Sequence, residues 1–316
     1  MVGLGFILIR MLGQGSLGLV SQTAINQWWS KRRGMIMGIS GLMMSLLGMG
    51  VFPNLVHELI AAFDWRLTYI ILGISLLVIM APLGYLFIRN KPEDYGLSPD
   101  GEKPQDLEKD KPVVHKETNE ENWTLKEAFG TYAFWILAAS LSLFTLLITG
   151  ITFHLVSIFQ SNGLDAATAA RIFLPLSITG ALTNLVVGYL SDHLELRYLL
   201  AFGLVLLGVS LILVLTLQGS GSALAFGIVL GSANGFIRTI STVGWPTFFG
   251  RQHLGSIFGF TSALSIIGAA VGPLPFGYAF DLVGSYRPVL IFFTGICFIL
   301  ALFGLRVNKP QKQFAD

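Results

Sequence analysis

The chain has 316 residues, of which 53% are hydrophobic and 12% are charged, with a net charge of +2 and a mean hydropathy of +0.70. Soluble domains carry about 25% charged residues, so this composition excludes an ordinary soluble domain and predicts an integral membrane protein. We expect a lipid bilayer as its surroundings and no nucleic-acid partner, and the single cysteine, Cys297, allows no disulfide within the chain.

The first apolar segment, residues 5–18, contains a glycine pattern that has two interpretations. Its sequence GFILIRMLGQGSLG includes G-x-G-x-x-G, which is typical of dinucleotide-binding folds. Such folds need an acidic residue about 20 positions later to hold the ribose. The first acid here is Glu58, 40 residues beyond Gly18. Because glycine is also common in membrane helices, we interpret the segment as a membrane helix with Arg10 inside it.

The remaining apolar segments predict further membrane helices. A span needs about 20 mostly apolar residues. Nine stretches reach that length: 2–27, 35–60, 66–88, 132–159, 168–190, 197–217, 222–248, 255–280 and 287–306. A polar stretch at 90–130 holds 11 of the 18 acids and is predicted to be a solvated linker. The sequence WTLKEAF at its end predicts a short amphipathic helix.

The positions of lysine and arginine predict the orientation. If the WWSKRRG turn (residues 28–34) lies in the cytoplasm, alternating spans place 15 Lys and Arg residues on that side and three on the other. This bias is typical of the cytoplasmic side. We expect the N-terminus outside, the C-terminus inside, and a multi-pass protein of the cytoplasmic (plasma) membrane.

Small residues recur along one face of two predicted spans. In the second span they are Gly34, Gly38, Gly41, Ser45 and Gly48. A shift of 221 residues aligns four of these five with Gly255, Gly259, Ser262 and Ala269. Small faces allow close helix packing in lipid, and parallel repeats relate two six-helix halves in one class of transporter. A repeat would leave three spans of the first half outside this chain.

Several motifs resemble those of the major facilitator superfamily. RMLGQGSLG resembles the signature of its fourth transmembrane helix, and WWSKRRG resembles the turn that follows. GYLSDHLELR resembles the motif between helices eight and nine, from Gly188 through Asp192 to Arg197, with His193 and Glu195 departing from it. RNKPEDYGLSPDG and SNGLDAATAA resemble the monocarboxylate and oxalate:formate porter branch.

This resemblance implies an all-α integral membrane fold of the major facilitator type, truncated at its N-terminus. Nine transmembrane helices of an expected twelve would be present, three from the N-terminal bundle and a complete six-helix C-terminal bundle. The implied domains are a partial N-terminal bundle (1–89), a cytoplasmic linker (90–130), a C-terminal bundle (131–307) and a cytoplasmic tail (308–316).

Ionisable groups inside the predicted spans are the first candidates for a site, because charge in a bilayer is costly. The acids all lie in loops, termini or helix ends, which leaves Arg10, Arg238 and His154 within spans. Two buried cations without a visible carboxylate partner favour an anionic substrate.

Two polar stripes at helical spacing are candidate substrate-binding faces. The first comprises Asn234, Arg238, Ser241, Thr242 and Trp245, and we interpret it as lining a cavity. The alternative is interhelical hydrogen bonding. The second stripe includes Thr145 and Thr149, whose hydroxyls could equally bond their own backbone. His154 lies on the opposite side of that helix unless Gly150 kinks it, which favours a structural role.

Other residues are candidates for coupling or conformational change. The resemblance implies a structural and proton-coupling role for Arg10, with Gln14 one turn away. It also places Asp192 near the N-terminus of the helix beginning around Leu254, where a carboxylate is favoured by the helix dipole. Arg197 completes that motif. Gly272, Pro273 and Pro275 predict a kink or hinge in the penultimate helix.

We therefore expect a secondary transporter that works by alternating access. Its substrate would be a small organic anion, such as a monocarboxylate or dicarboxylate, with a coupled proton or counter-anion as a further partner. The branch commonly has a carboxylate-pairing arginine where this chain has Asn184. Alternatives are an exporter of neutral or amphiphilic compounds and a non-transporting membrane sensor. The spans hold no paired carboxylates, metal-ligand cluster or nucleophile–histidine pair, so we expect no enzyme, cofactor or metal.

Overall fold

The computed structural model describes residues 17–44, 47, 52–89, 92–97 and 122–312. All regular structure in these ranges is helical. The longer helices, numbered along the chain, are α1 (Leu17–Trp28), α2 (Arg33–Met43), α3 (Phe52–Ser75), α4 (Ala81–Phe87), α5 (Leu125–Phe129), α6 (Tyr132–Ser161), α7 (Ala166–Arg171), α8 (Phe173–Ser191), α9 (Leu196–Leu215), α10 (Ser220–Phe249), α11 (Leu254–Val271), α12 (Pro273–Val283) and α13 (Arg287–Gly304).

Beyond Asp64, α3 continues through a π-helical turn at Leu76–Met80 into α4, and this part forms one apolar rod. The backbone of α3 leaves helical geometry at Asp64, with φ 66° and ψ 155°. This break falls between predicted spans 35–60 and 66–88. Only 6% of the most apolar part of the rod is buried against other described residues, so most of its surface is free for lipid or for other helices.

The helices from α6 to α13 pack into a bundle with α10 at its centre. Helix α10 packs on α8 and α9, α9 packs on α13, and α6 packs on α11 and α12. The fully buried aromatic side chains of this core include Phe134 and Phe159 from α6 and Phe226, Trp245 and Phe249 from α10. Large, fully buried aromatic side chains thus fix the bundle around α10.

Seven helical stretches among the described residues are long and apolar enough to cross a membrane. They are Glu58–Leu86, Tyr132–Ser161, Ala166–Ser191, Leu196–Leu215, Ser220–Phe249, Leu254–Val283 and Arg287–Gly304. Predicted span 2–27 is described only from residue 17, and residues 45–46 and 48–51 of predicted span 35–60 lie outside the described residues. The count of nine spans therefore stays a prediction.

At the predicted kink or hinge, α11 ends at Val271 and α12 begins at Pro273, which leaves a short break at Gly272. Helix α6 beside it is continuous from Tyr132 to Ser161 through Gly150. A Cβ at Gly150 would lie 2.7 Å from the Gly272 carbonyl oxygen and 2.6 Å from Phe276. Glycine is thus needed for close approach of the two helices.

The end of the predicted linker is attached to the bundle. The Trp123 side chain is buried, and its backbone N–H donates to the Phe249 carbonyl at 3.0 Å. The short helix predicted from WTLKEAF is confirmed as α5, capped by reciprocal hydrogen bonds between Thr124 and Glu127. Glu127 also forms a 2.9 Å ion pair with Lys312 of the tail. Linker and tail therefore meet at the predicted cytoplasmic end of the bundle.

We expect this clasp of linker and tail to persist in mild acid. The N–H of Thr124, and then Lys312, lower the pKa of Glu127 from 4.5 to about 2. Because this pKa is lower in the folded protein than in the unfolded chain, ionised Glu127 stabilises the fold. The stabilisation is present above pH 4.5 and is lost as the pH falls towards 2. Spin labels at Lys126→Cys and Gln311→Cys should report the same narrow distance at pH 7 and at pH 4. Glu127→Gln should broaden the distribution of distances between the labels at both pH values. Broadening at pH 4 in the protein that keeps Glu127 would contradict the lowered pKa.

The charge bias predicts the sidedness of three loops. In intact cells, single cysteines at Ser30 and at Gln105 (outside the described residues) should resist an impermeant maleimide, and one at Ser220 should react. The native Cys297 is buried and serves as an unreactive internal control. Labelling at position 105 without permeabilisation would show that the predicted orientation is wrong.

Candidate functional site

Arg238 and Asn234 line one cavity near the middle of α10. The cavity has a volume of about 190 Å³ and is also walled by Asn184 of α8 and Gly41 of α2. Arg238 is exposed, and no acidic residue is among the described residues that line the cavity. A guanidinium exposed at membrane depth needs water or an anion to offset its desolvation. The cavity therefore has the charge of an anion site.

Glycines bring the walls of this cavity together. A Cβ at Gly235 of α10 would lie 2.7 Å from the backbone nitrogen of Asn184. A Cβ at Gly180 of α8 would lie 3.2 Å from the Gly231 carbonyl oxygen. Because neither helix has side chains at these points, α8 and α10 approach closely and hold Asn184 next to Asn234 and Arg238.

The rest of the predicted α10 stripe does not line this cavity. The hydroxyls of Ser241 and Thr242 donate to backbone carbonyls three residues earlier, at 2.7 and 2.8 Å. Trp245 is 1% exposed and packs against Phe134 with ring centroids 5.5 Å apart. It is one turn from the end of α10, where the bundle converges, so an apolar contact there outweighs its place in the stripe. Of the five residues in the stripe, only Asn234 and Arg238 line the cavity.

The α6 stripe lies at a helix interface. The Thr145 hydroxyl is within 3.0 Å of the Ser265 carbonyl of α11 and 2.9 Å of the Ser142 carbonyl in its own helix. Thr149, one turn further along, is half-buried. Neither residue lines the Arg238 cavity. Thr145 therefore follows the alternative interpretation, in which its hydroxyl bonds to backbone carbonyls and not to substrate.

Asp192 caps α2 rather than the helix that begins at Leu254, so the expected partner was wrong. Its two carboxylate oxygens accept the backbone N–H groups of Gly34 at 2.7 Å and Met35 at 2.9 Å. Burial raises the pKa of Asp192 above its ordinary value, although these two hydrogen bonds oppose the rise. The error has a physical reason: helices α2 and α11 carry the same small-residue pattern, and only α2 packs on α8.

The crossing of α2 and α8 is built from glycines. A Cβ at Gly188 would lie 2.5 Å from the Gly34 carbonyl oxygen and 3.1 Å from the Gly38 Cα. The corresponding Gly255 and Gly259 of α11 have open space around their Cα atoms in the described structure. Thus the repeat is visible in sequence, but Gly34 and Gly38 have a close neighbour among the described residues, whereas Gly255 and Gly259 do not.

Arg197 lies apart from the Asp192 contact. Its guanidinium pairs with Glu195 at 2.6 Å and donates to the Asn308 side chain at 2.9 Å. It also lies over the Tyr198 ring, 4.9 Å from its centroid. The motif's basic residue therefore attaches the C-terminal tail to the start of α9.

His154 faces the helix break between α11 and α12. Its Nε2 lies 3.1 Å from the Pro273 carbonyl, and its Nδ1 lies 3.4 Å from the Tyr286 hydroxyl, which donates to Ser157. A carbonyl only accepts, so Nε2 carries the proton of the neutral ring. His154 thus links α6, α12 and α13, away from the Arg238 cavity.

Arg10 and Gln14 lie outside the described residues. The described end of their helix makes contacts that the sequence did not predict. Asn26 is fully buried, and its amide donates to the Thr242 carbonyl at 3.3 Å. Gln27 and Arg251 exchange hydrogen bonds through side chain and backbone in both directions. Two neighbouring polar residues at the end of an apolar helix were the available signal for this contact between α1 and the α10–α11 turn.

Comparison with known proteins agrees with the helical architecture. A protein of Arabidopsis thaliana named "Putative glycerol-3-phosphate transporter 1" is 24% identical to the chain. The alignment covers 97% of this chain and 64% of that relative, so the chain spans less than two thirds of its length. The family model of the Major Facilitator Superfamily matches residues 3–198 and 176–315. The chain, a multi-pass helical membrane protein, therefore belongs to the Major Facilitator Superfamily.

Proposed function

We propose that this chain is part of a secondary active transporter that moves a small organic anion by alternating access. The observation that carries the proposal is the cavity around Arg238, which holds one guanidinium, two carboxamides and no acid among its described walls. Its walls come from α2, on the N-terminal side of the linker, and from α8 and α10, on its C-terminal side. Movement of one bundle against the other would open and close such a site.

The substrate class follows from the geometry of arginine. A planar guanidinium can donate two parallel hydrogen bonds to a carboxylate or a phosphate. The branch resemblance favours a monocarboxylate or dicarboxylate, and the name of the Arabidopsis relative refers to another small organic anion, glycerol 3-phosphate. Asn184 stands where the branch commonly has its arginine, and Arg238 lines the same cavity from α10. The cation would thus come from a different helix.

The contacts at the predicted cytoplasmic end would hold one access state. Asp192 binds the first N–H groups of α2, and Arg251 binds the end of α1. Opening towards the cytoplasm would have to break both. We propose that Arg10, Gln14, Arg197 and His154 serve coupling or conformational change, with a proton or counter-anion as the coupled species and the plasma membrane as the location.

We also propose that a twelve-helix fold is completed by helices beyond those described here. The alignment covers 64% of the relative, which supports this proposal. The open surface at Gly255 and Gly259, in contrast to the packed Gly34 and Gly38, also supports it. Extending the reading frame upstream tests it. The 316-residue chain alone should insert but not transport.

Uptake by proteoliposomes tests the function. The complete transporter should accumulate labelled lactate, malate or glycerol 3-phosphate saturably, and unlabelled organic anions should compete. Uptake of neutral or amphiphilic compounds without competition by anions would favour the exporter alternative. Insertion without uptake of either class would favour a sensor.

A further inference from the structure

Asn184 is a buried polar residue whose amide orientation is fixed by its neighbour. It is 5% exposed, and its Nδ2 donates to the Thr239 hydroxyl oxygen at 3.2 Å. Thr239 has a single hydroxyl proton, which is within reach of the Gly235 carbonyl at 3.1 Å and the Asn184 backbone carbonyl at 3.2 Å. Its oxygen therefore accepts from the amide, and the NH2 group must face Thr239. The carboxamide oxygen faces the opposite way.

That oxygen, Oδ1, is buried and has no hydrogen-bond partner among the described residues. It lies against Gly41 of α2, in space that a side chain at position 41 would occupy. Gly41 and Asn184 are two walls of the Arg238 cavity. A buried acceptor without a donor is destabilising, so its retention calls for a donor from elsewhere. Because Gly41 has no side chain, a small displacement of α2 would open Oδ1 to the cavity.

We propose that Asn184 Oδ1 accepts a hydrogen bond from a hydroxyl group of the substrate, whose anionic group binds Arg238. This inference rests on the proposed function and narrows it to hydroxylated organic anions, such as hydroxy acids or hydroxyalkyl phosphates. An ionised carboxylate or a doubly ionised phosphate has only acceptors and cannot satisfy Oδ1. A hydroxyl on the same molecule supplies the donor. Asn184 thus selects for a hydroxyl group on the substrate, while Arg238 selects for its negative charge.

Paired anions that differ by one hydroxyl test the proposal. Binding to the complete transporter in nanodiscs is measured for glycolate against acetate, lactate against propionate, and 2-hydroxyethyl phosphate against ethyl phosphate. The hydroxylated member should bind more tightly by roughly tenfold or more, since a site with an unpaired polar group rejects the analogue that lacks the donor. Tighter binding of the carboxylates or of the phosphates identifies the anionic group, and a preference for the hydroxylated member in any of the three pairs supports the proposal.

The variant Asn184→Leu removes the acceptor and keeps a similar volume. Thr239 retains its backbone partners, so no new unpaired group is left. The hydroxyl preference should fall to about one, with binding of acetate, propionate and ethyl phosphate retained. The matched control is Asn234→Ala in the same cavity, which should weaken both members of a pair equally. Loss of preference in the control as well would overturn the assignment to Asn184.

The wild-type ratio decides the matter even if Asn184→Leu fails to fold. Equal binding of both members of each pair would overturn the hydroxyl inference and leave the organic-anion proposal standing. If no anion binds and neutral solutes do, the proposed function fails and this inference fails with it.

Discussion

Replacing Arg238 with lysine is expected to lower organic-anion transport sharply while leaving membrane expression largely intact. Lysine keeps the charge but cannot reproduce the two parallel hydrogen bonds of a guanidinium. We expect kcat/KM for uptake to fall by roughly tenfold or more, corresponding to loss of about one charge-assisted hydrogen bond. Arg238→Ala should transport less still, because the cavity then has no cation among its described walls.

Two further variants separate substrate contact from a packing role. Asn234→Ala, one turn from Arg238 in the same cavity, should mainly weaken affinity. Arg171→Lys, an exposed arginine at the end of α7, should leave uptake unchanged. If Arg238→Lys transports the native substrate normally, the arginine is a packing residue and the organic-anion assignment loses its main support.

Replacing Gly188 with valine is expected to separate α2 from α8. A Cβ at this position would lie 2.5 Å from the Gly34 carbonyl oxygen, which is main chain and cannot rotate away. Overpacking of this kind costs about 1–3 kcal/mol. The shift would also withdraw the N–H groups of Gly34 and Met35 from Asp192. The melting temperature and the transport rate should both fall, with Gly188→Ala intermediate.

Gly295 of α13 provides the matched control, since nothing lies within 4 Å of a Cβ there. Gly295→Val changes helix propensity by the same amount as Gly188→Val but does not lie at the crossing of α2 and α8. Equal effects of Gly188→Val and Gly295→Val on melting and transport would show that the α2–α8 contact does not matter.

Features that depend on local chemistry were predictable from the sequence. The break at Pro273 follows because proline removes a helix hydrogen bond. The α5 helix follows from its capping residues, Thr124 and Glu127. Arg238 and Asn234 share a cavity because residues four apart lie on one helix face. In each case the determining atoms lie within a few residues of one another.

Features that depend on which helices meet were not predictable. The acid of a loop can cap either of two helices that carry the same glycine pattern, and only packing selects α2 for Asp192. Trp245 has the spacing of the α10 stripe, yet it faces the aromatic core because the helices converge there. The interface role of Thr145 depends on the position of Ser265, 120 residues away. Residue type and helical spacing alone do not specify which helix a side chain will contact.

Protection of a cysteine at Ser177 tests most directly whether an anion binds in the Arg238 cavity. Ser177 is an exposed residue of α8 that lines this cavity. In a background lacking Cys297, a transported organic anion at saturating concentration should slow alkylation of Ser177→Cys by roughly tenfold, as expected when a bound ligand covers most of a small site. The same anion should give no protection when Arg238→Ala is added. Alkylation at the full rate in the presence of a saturating, transported anion would contradict the account, because the substrate would then bind elsewhere.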